Sequence, residues 1–157
     1  MLLLNNLQQL CIEKGVSIAV AESCTAGLIA SKLTTLAGSS SYFNGGVVAY
    51  QNEIKTKILG VSQSIIDEKT EVSVEVVKQM AKSVLEKFDA NFAIATTGYA
   101  GPAGGTNKNP IGTVFIAIAS VVGVVVSRFV FLGDRQSVVN QASESALSLL
   151  YTEIKKQ

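Results

Sequence analysis

Apolar residues recur at helical spacing from Leu4 to Glu13, where Leu4, Leu7, Leu10 and Cys11 share a face, and Gly15 ends that helix. Ser17 to Ala21 is a short apolar run that predicts a buried strand. Cys24 to Leu36, carrying Leu28, Ile29 and Leu33, predicts a helix that starts directly on a polar cluster, Glu22-Ser23-Cys24-Thr25. Ala37-Gly-Ser-Ser-Ser41 is a loop by composition. A second strand follows from Gly45 to Tyr50, then a short helix from Glu53 to Leu59 stopped by Gly60, and another over Ser62 to Lys69. The strongest helical pattern runs from Ser73 to Phe88, with Val77, Met80, Ala81, Val84 and Phe88 on one face and Ser73 as N-cap. Asn91 to Thr97 reads as a buried strand and Gly98 to Gly112 as a long glycine-rich loop. Thr113–Ala119 and Val124–Phe131 form a hairpin through Gly123. After Gly133-Asp-Arg135 a last helix turns Val139, Ala142, Ala146, Leu149 and Leu150 inward.

Early strands alternate with helices, whereas the late ones follow each other. That order predicts an α/β protein, a three-layer α/β/α sandwich on a mixed five-stranded sheet with one antiparallel strand near the end. No repeat or linker interrupts it, so residues 1–157 are expected to form one domain, long enough for a proper core.

Composition narrows the function. No apolar run approaches the ~18 residues of a membrane span. Met1-Leu-Leu-Leu-Asn-Asn6 lacks the basic start and long apolar core of a signal peptide. Cys11 and Cys24 make no disulfide framework, so a cytoplasmic location is expected. Net charge is +1 with both signs scattered, which argues against nucleic acid as a partner, as the apolar pattern does against membrane. A homodimer is the base-rate expectation.

The chain has no histidine. This removes Ser-His-Asp and Cys-His catalysis and the commonest metal ligand, and two cysteines do not make a structural zinc site. Neither metal nor cofactor is expected. A hydrolase here needs Lys, Tyr, Asp, Glu or a terminal amine as its base.

In open α/β sheets, ligands gather beyond the carboxyl ends of the strands. Three polar clusters follow strands: Glu22-Ser-Cys-Thr25, Tyr50-Gln-Asn-Glu-Ile-Lys55, and Thr97-Gly98 with its loop. A hydroxyl at a helix start lies near unpaired N–H groups and a positive end field, which stabilise an alkoxide or an oxyanion. Taken alone, Ser23 or Thr25 reads first as an N-cap that holds the turn, and Cys24 as a small buried hydrophobe. Lys55 serves as base only if burial or a nearby cation lowers its pKa; otherwise it is a solvated helix lysine, and Tyr50 a packing residue. The Ser-x-x-Lys spacing occurs nowhere in the chain. Gly98, Gly101, Gly104 and Gly105 allow backbone N–H groups close to a phosphate, although the loop matches neither Walker A nor G-x-G-x-x-G. Arg135 forks onto phosphate or simply lies on the surface.

Ala21-Glu-Ser-Cys-Thr25, Ala37-Gly-Ser-Ser40, Tyr50-x-Asn-Glu-x-Lys55, Val72-Ser73, Thr97-Gly-x-Ala-Gly-Pro102 with Gly104-Gly105, Pro110-x-Gly-Thr113 and Gly133-Asp-Arg135 occur in this order from about residue 4 to residue 155. Together they resemble the CinA C-terminal domain family in its stand-alone form; many relatives carry the domain behind a larger amino-terminal one. The resemblance implies hydrolysis of the carboxamide of nicotinamide mononucleotide, a small-molecule nucleotide, to nicotinate mononucleotide and ammonia. It implies Ser23 as nucleophile, Lys55 as proton acceptor and Tyr50 as the residue that assists or orients the lysine. Thr97, Arg135 and the glycine loop would bind the substrate, and the Cys24 backbone N–H would serve the oxyanion. The alternative is a non-catalytic nucleotide-binding or regulatory module of the competence- or damage-inducible kind. This chain has Tyr99 where the family loop commonly has isoleucine.

Overall fold

The computed structural model describes residues 1–157. Its strands are β1 (Ile18–Glu22), β2 (Phe43–Val48), β3 (Phe92–Gly98), β4 (Thr113–Ser120) and β5 (Gly123–Val130). Its helices are α1 (Leu2–Lys14), α2 (Leu28–Leu33), α3 (Asn52–Lys57), α4 (Gln63–Lys69), α5 (Val74–Lys87) and α6 (Arg135–Lys156). The sheet order is β2-β1-β3-β4-β5. β1 runs parallel to both neighbours, and β4 is antiparallel to β3 and to β5. The single antiparallel strand is therefore β4, and the mixed five-stranded sheet is as the element order implies.

The two faces of the sheet differ in side-chain size. Ile18 and Val20 of β1, Ile94 of β3 and Ile116 and Ile118 of β4 point into a cluster with α1, α2 and α6. Their neighbours Ala19, Ala21, Ala93, Ala95, Ala117 and Ala119 face the other way, onto α5 and the α3–α4 segment. Alanine lets α5 lie close on that face, where it buries Val76, Val77, Met80, Ala81 and Val84. Strand alternation in composition thus becomes a three-layer α/β/α sandwich.

Helix boundaries follow local chemistry. Gly15 closes α1 in the left-handed conformation (φ 62°), and Ser73 caps α5 by accepting from Val76 N. Asp134 caps α6 by accepting from Ser137 N at 2.9 Å. Most boundaries match the sequence reading to within two residues; β2, expected over Gly45 to Tyr50, spans Phe43–Val48, and α2 departs further. The helix expected to begin at Cys24 begins at Leu28, because Ala26 (φ 48°) and Gly27 (φ 93°) hold residues 23–27 in turns. It also ends at Leu33 rather than Leu36.

Close strand packing makes Gly46 of β2 a sensitive position, since a Cβ there would lie 2.3 Å from the Val20 carbonyl oxygen. Gly46→Ala is expected to lower stability by about 2–3 kcal/mol, measured as a reduced urea midpoint at unchanged m-value.

Candidate active site

β2, β1 and β3 lie side by side and point the same way, so the segments after them meet at one edge. The chain leaves β1 toward β2 on one side and returns from β2 to β3 on the other, making β1 the point where the winding reverses. Such points open a crevice. Here the crevice is a cavity of about 410 Å³ whose wall includes Ser23, Tyr50, Lys55, Thr97, Gly98 and Arg135. The three polar clusters predicted to converge do so.

The turn carrying Ser23 is anchored from both ends. Ser23 N donates to Thr96 O at 3.1 Å, and the hydroxyls of Thr25 and Thr96 share a buried hydrogen bond of 2.8 Å. Glu22, fully buried at the end of β1, accepts from Ile29 N at 2.8 Å and Ala30 N at 3.0 Å. Its carboxylate thus occupies the amide end of α2, where a negative charge is favoured. The α2 amides are consequently not the groups that face Ser23. The Cys24 N–H, by contrast, donates to no group of the chain. Glu22→Gln swaps one acceptor oxygen for a donor that would face an amide. A loss of about 2 kcal/mol in unfolding free energy is expected, checked by urea denaturation.

Ser23 Oγ makes no hydrogen bond within the chain and is not sealed from solvent, so it opens on the cavity. Cys24 beside it is inert, since burial pushes its thiol up to about 12.

Lys55 is the least exposed charged cavity residue, at 1%. The last turn of the six-residue α3 carries it, and its Nζ donates to the Tyr50 carbonyl at 3.1 Å. No carboxylate lies within ion-pair distance of it. Burial lowers its pKa from the ordinary lysine value, partly opposed by the Glu71 charge. The solvated-lysine alternative is thereby removed, and a buried amine biased toward its neutral form is chemically a base.

Tyr50 acts through two different groups. Its carbonyl holds Lys55, while its half-exposed phenol accepts a short hydrogen bond from Arg135 Nη2. Arg135 Nη1 donates to Gly101 O at 2.7 Å, so the arginine ties the glycine loop to the β2 segment at the cavity mouth. Thr97 Oγ1 donates to Glu71 O at 2.7 Å and fixes the third side. Of the five glycines from Gly98 to Gly112, Gly98 alone lines the cavity. Gly101, Gly104 and Gly105 take positive φ values (85°, 94° and 82°) and shape the loop from behind, packed on Ile111 and Tyr99. Tyr99 itself lines the cavity, and so does Glu71, a residue that no motif or periodicity singled out.

The fold and cavity define a three-layer α/β protein with an open serine and an unpaired, buried lysine at the winding reversal of its sheet. The CinA C-terminal domain family matches residues 2–154, and the chain belongs to that family. It is 47% identical over 150 residues to a CinA-like protein of Flavobacterium psychrophilum, an alignment covering 96% of this chain and 36% of that protein. The chain spans about a third of the length of the curated relatives it matches. A CinA superfamily protein from Klebsiella pneumoniae shares the fold with a TM-score of 0.95 and 32% identity, covering 99% of this chain and 97% of that one. The competence/damage inducible protein CihA from Agrobacterium tumefaciens superposes with a TM-score of 0.89 at 34% identity, over 96% and 94% of the two chains. No helix is long and apolar enough to cross a membrane.

Proposed function

We propose that this domain hydrolyses the carboxamide of nicotinamide mononucleotide, with Ser23 as nucleophile and Lys55 as base. The observation that carries the reading is the pairing, on one cavity wall, of a hydroxyl without an internal partner and a buried lysine without a counter-ion. Neutral Lys55 takes the Ser23 proton as Oγ attacks the amide carbon. The carbonyl electrons move to oxygen, and the Cys24 N–H donates to that oxyanion. Collapse expels ammonia, which receives the proton from Lys55, and leaves an ester on Ser23. Water then gives a proton to Lys55 and attacks the ester. The second intermediate releases the carboxylate product, and Ser23 regains its proton.

The remaining wall residues suit a mononucleotide. Arg135 at the mouth carries the positive charge for the phosphate, and Gly98 admits close approach at the β3 end. Tyr50 positions both cations, Lys55 through its carbonyl and Arg135 through its phenol. The test is incubation of the purified chain with nicotinamide mononucleotide, with ammonia and nicotinate mononucleotide both quantified. Equal amounts of the two are expected, with free nicotinamide, which lacks the phosphate, a much poorer substrate. Binding without product would instead support a non-catalytic nucleotide-binding module.

A further inference from the structure

The mechanism leaves Glu71 and Tyr99 of the cavity wall unused. Glu71 follows Thr70, whose backbone (φ 69°, ψ 164°) occupies a region otherwise almost reserved for glycine. That strained residue is pinned by Ser73 Oγ, which donates to its carbonyl at 3.0 Å, and it directs the Glu71 carbonyl onto Thr97 Oγ1. The Glu71 main chain is thus committed to structure while its carboxylate forms no ion pair. It is the only carboxylate on the cavity wall. Tyr99 is seated by Gly104, where a Cβ would stand 3.2 Å from the ring.

The two residues act on the same space. Burial, and after it the Glu71 charge, raises the Tyr99 phenol, and the same charge opposes the lowering of Lys55. The other charged or titratable groups facing the cavity are Lys55, Arg135, Tyr50 and Cys24. The cavity therefore offers cations for an anionic group, and one carboxylate and an aromatic ring on the same wall for a cationic one. An aromatic face next to a carboxylate is a site for a flat organic cation.

We propose that Glu71 and Tyr99 form a subsite for the charged ring of a pyridinium nucleotide and select it over the neutral dihydropyridine form. This rests on the amidohydrolase reading above and deepens it. The oxidised and reduced mononucleotides share the ribose phosphate and the carboxamide and differ in ring charge, so Arg135 does not separate them.

Binding is measured by calorimetry in the Ser23→Ala background, where turnover does not interfere. Glu71→Gln is expected to weaken the oxidised mononucleotide about tenfold and to leave the reduced one within about twofold. Glu71→Asp, which restores the charge, is expected to recover most of the preference, and Tyr99→Leu to lose more of it than Tyr99→Phe. Equal weakening of both nucleotides in Glu71→Gln, or no change in either, overturns the subsite. No ammonia release from the wild-type chain would defeat the amidohydrolase reading itself. Intact deamidation with an unaltered oxidised-to-reduced preference in Glu71→Gln defeats this inference alone.

Discussion

Ser23→Ala is expected to lower ammonia release from nicotinamide mononucleotide by about 10⁴-fold or more, with little change in thermal stability. The hydroxyl has no partner inside the chain, so its removal strands no donor or acceptor. The turn is held instead by Ser23 N on Thr96 O, by the Thr25–Thr96 hydroxyl pair and by Glu22 on α2. A role for Ser23 as a mere helix cap predicts the reverse outcome, with stability falling and activity persisting. Because nucleophile and base act as a unit, the Ser23→Ala/Lys55→Ala double variant should be little worse than either single one.

Lys55→Met is expected to abolish activity to a similar degree and yet stabilise the fold. Burial without a counter-ion depresses the folded-state pKa of Lys55 below its unfolded value. Between those two values the unfolded chain binds more protons, so stability rises with pH across that window and is lowest below it. At neutral pH the lysine is thus a net cost. A methionine of similar shape should remove roughly 1–3 kcal/mol of it. Differential scanning calorimetry should show the Lys55→Met variant melting above the wild type at pH 7, with the gap closing as pH rises toward the ordinary lysine pKa. The wild-type kcat/KM should likewise climb with pH as Lys55 loses its proton, giving an acid limb at a pKa below that of a free lysine.

How much of this was legible in the sequence varies by feature. Strand faces were readable, because large and alanine residues alternate in Ile18-Ala-Val-Ala21 and Phe92-Ala-Ile-Ala95 and the sheet keeps that period. Ser73 and Gly15 declared helix ends through chemistry that acts within one turn. The start of α2 was not readable. Its cap is the Glu22 carboxylate, seven residues upstream of the amide at Ile29, and the intervening turn depends on positive φ at Ala26 and Gly27. The burial of Lys55 was equally hidden, since a six-residue helix is too short to show which face turns inward. Glu71 lies in a polar connector with no periodicity, and only the folded chain shows it on the cavity wall. Four of the five loop glycines are conformationally special, as a glycine-rich loop suggests, but they shape the loop instead of lining the site.

The most direct test of the Ser23–Lys55 pairing is to find where the acyl group goes. The wild-type chain is mixed with nicotinamide mononucleotide, quenched in acid during turnover, digested and mapped by mass spectrometry. An ester of the acyl mononucleotide on Ser23, absent from the Ser23→Ala chain, is the predicted result. An adduct on any other residue, or undiminished ammonia release by Ser23→Ala, would contradict it.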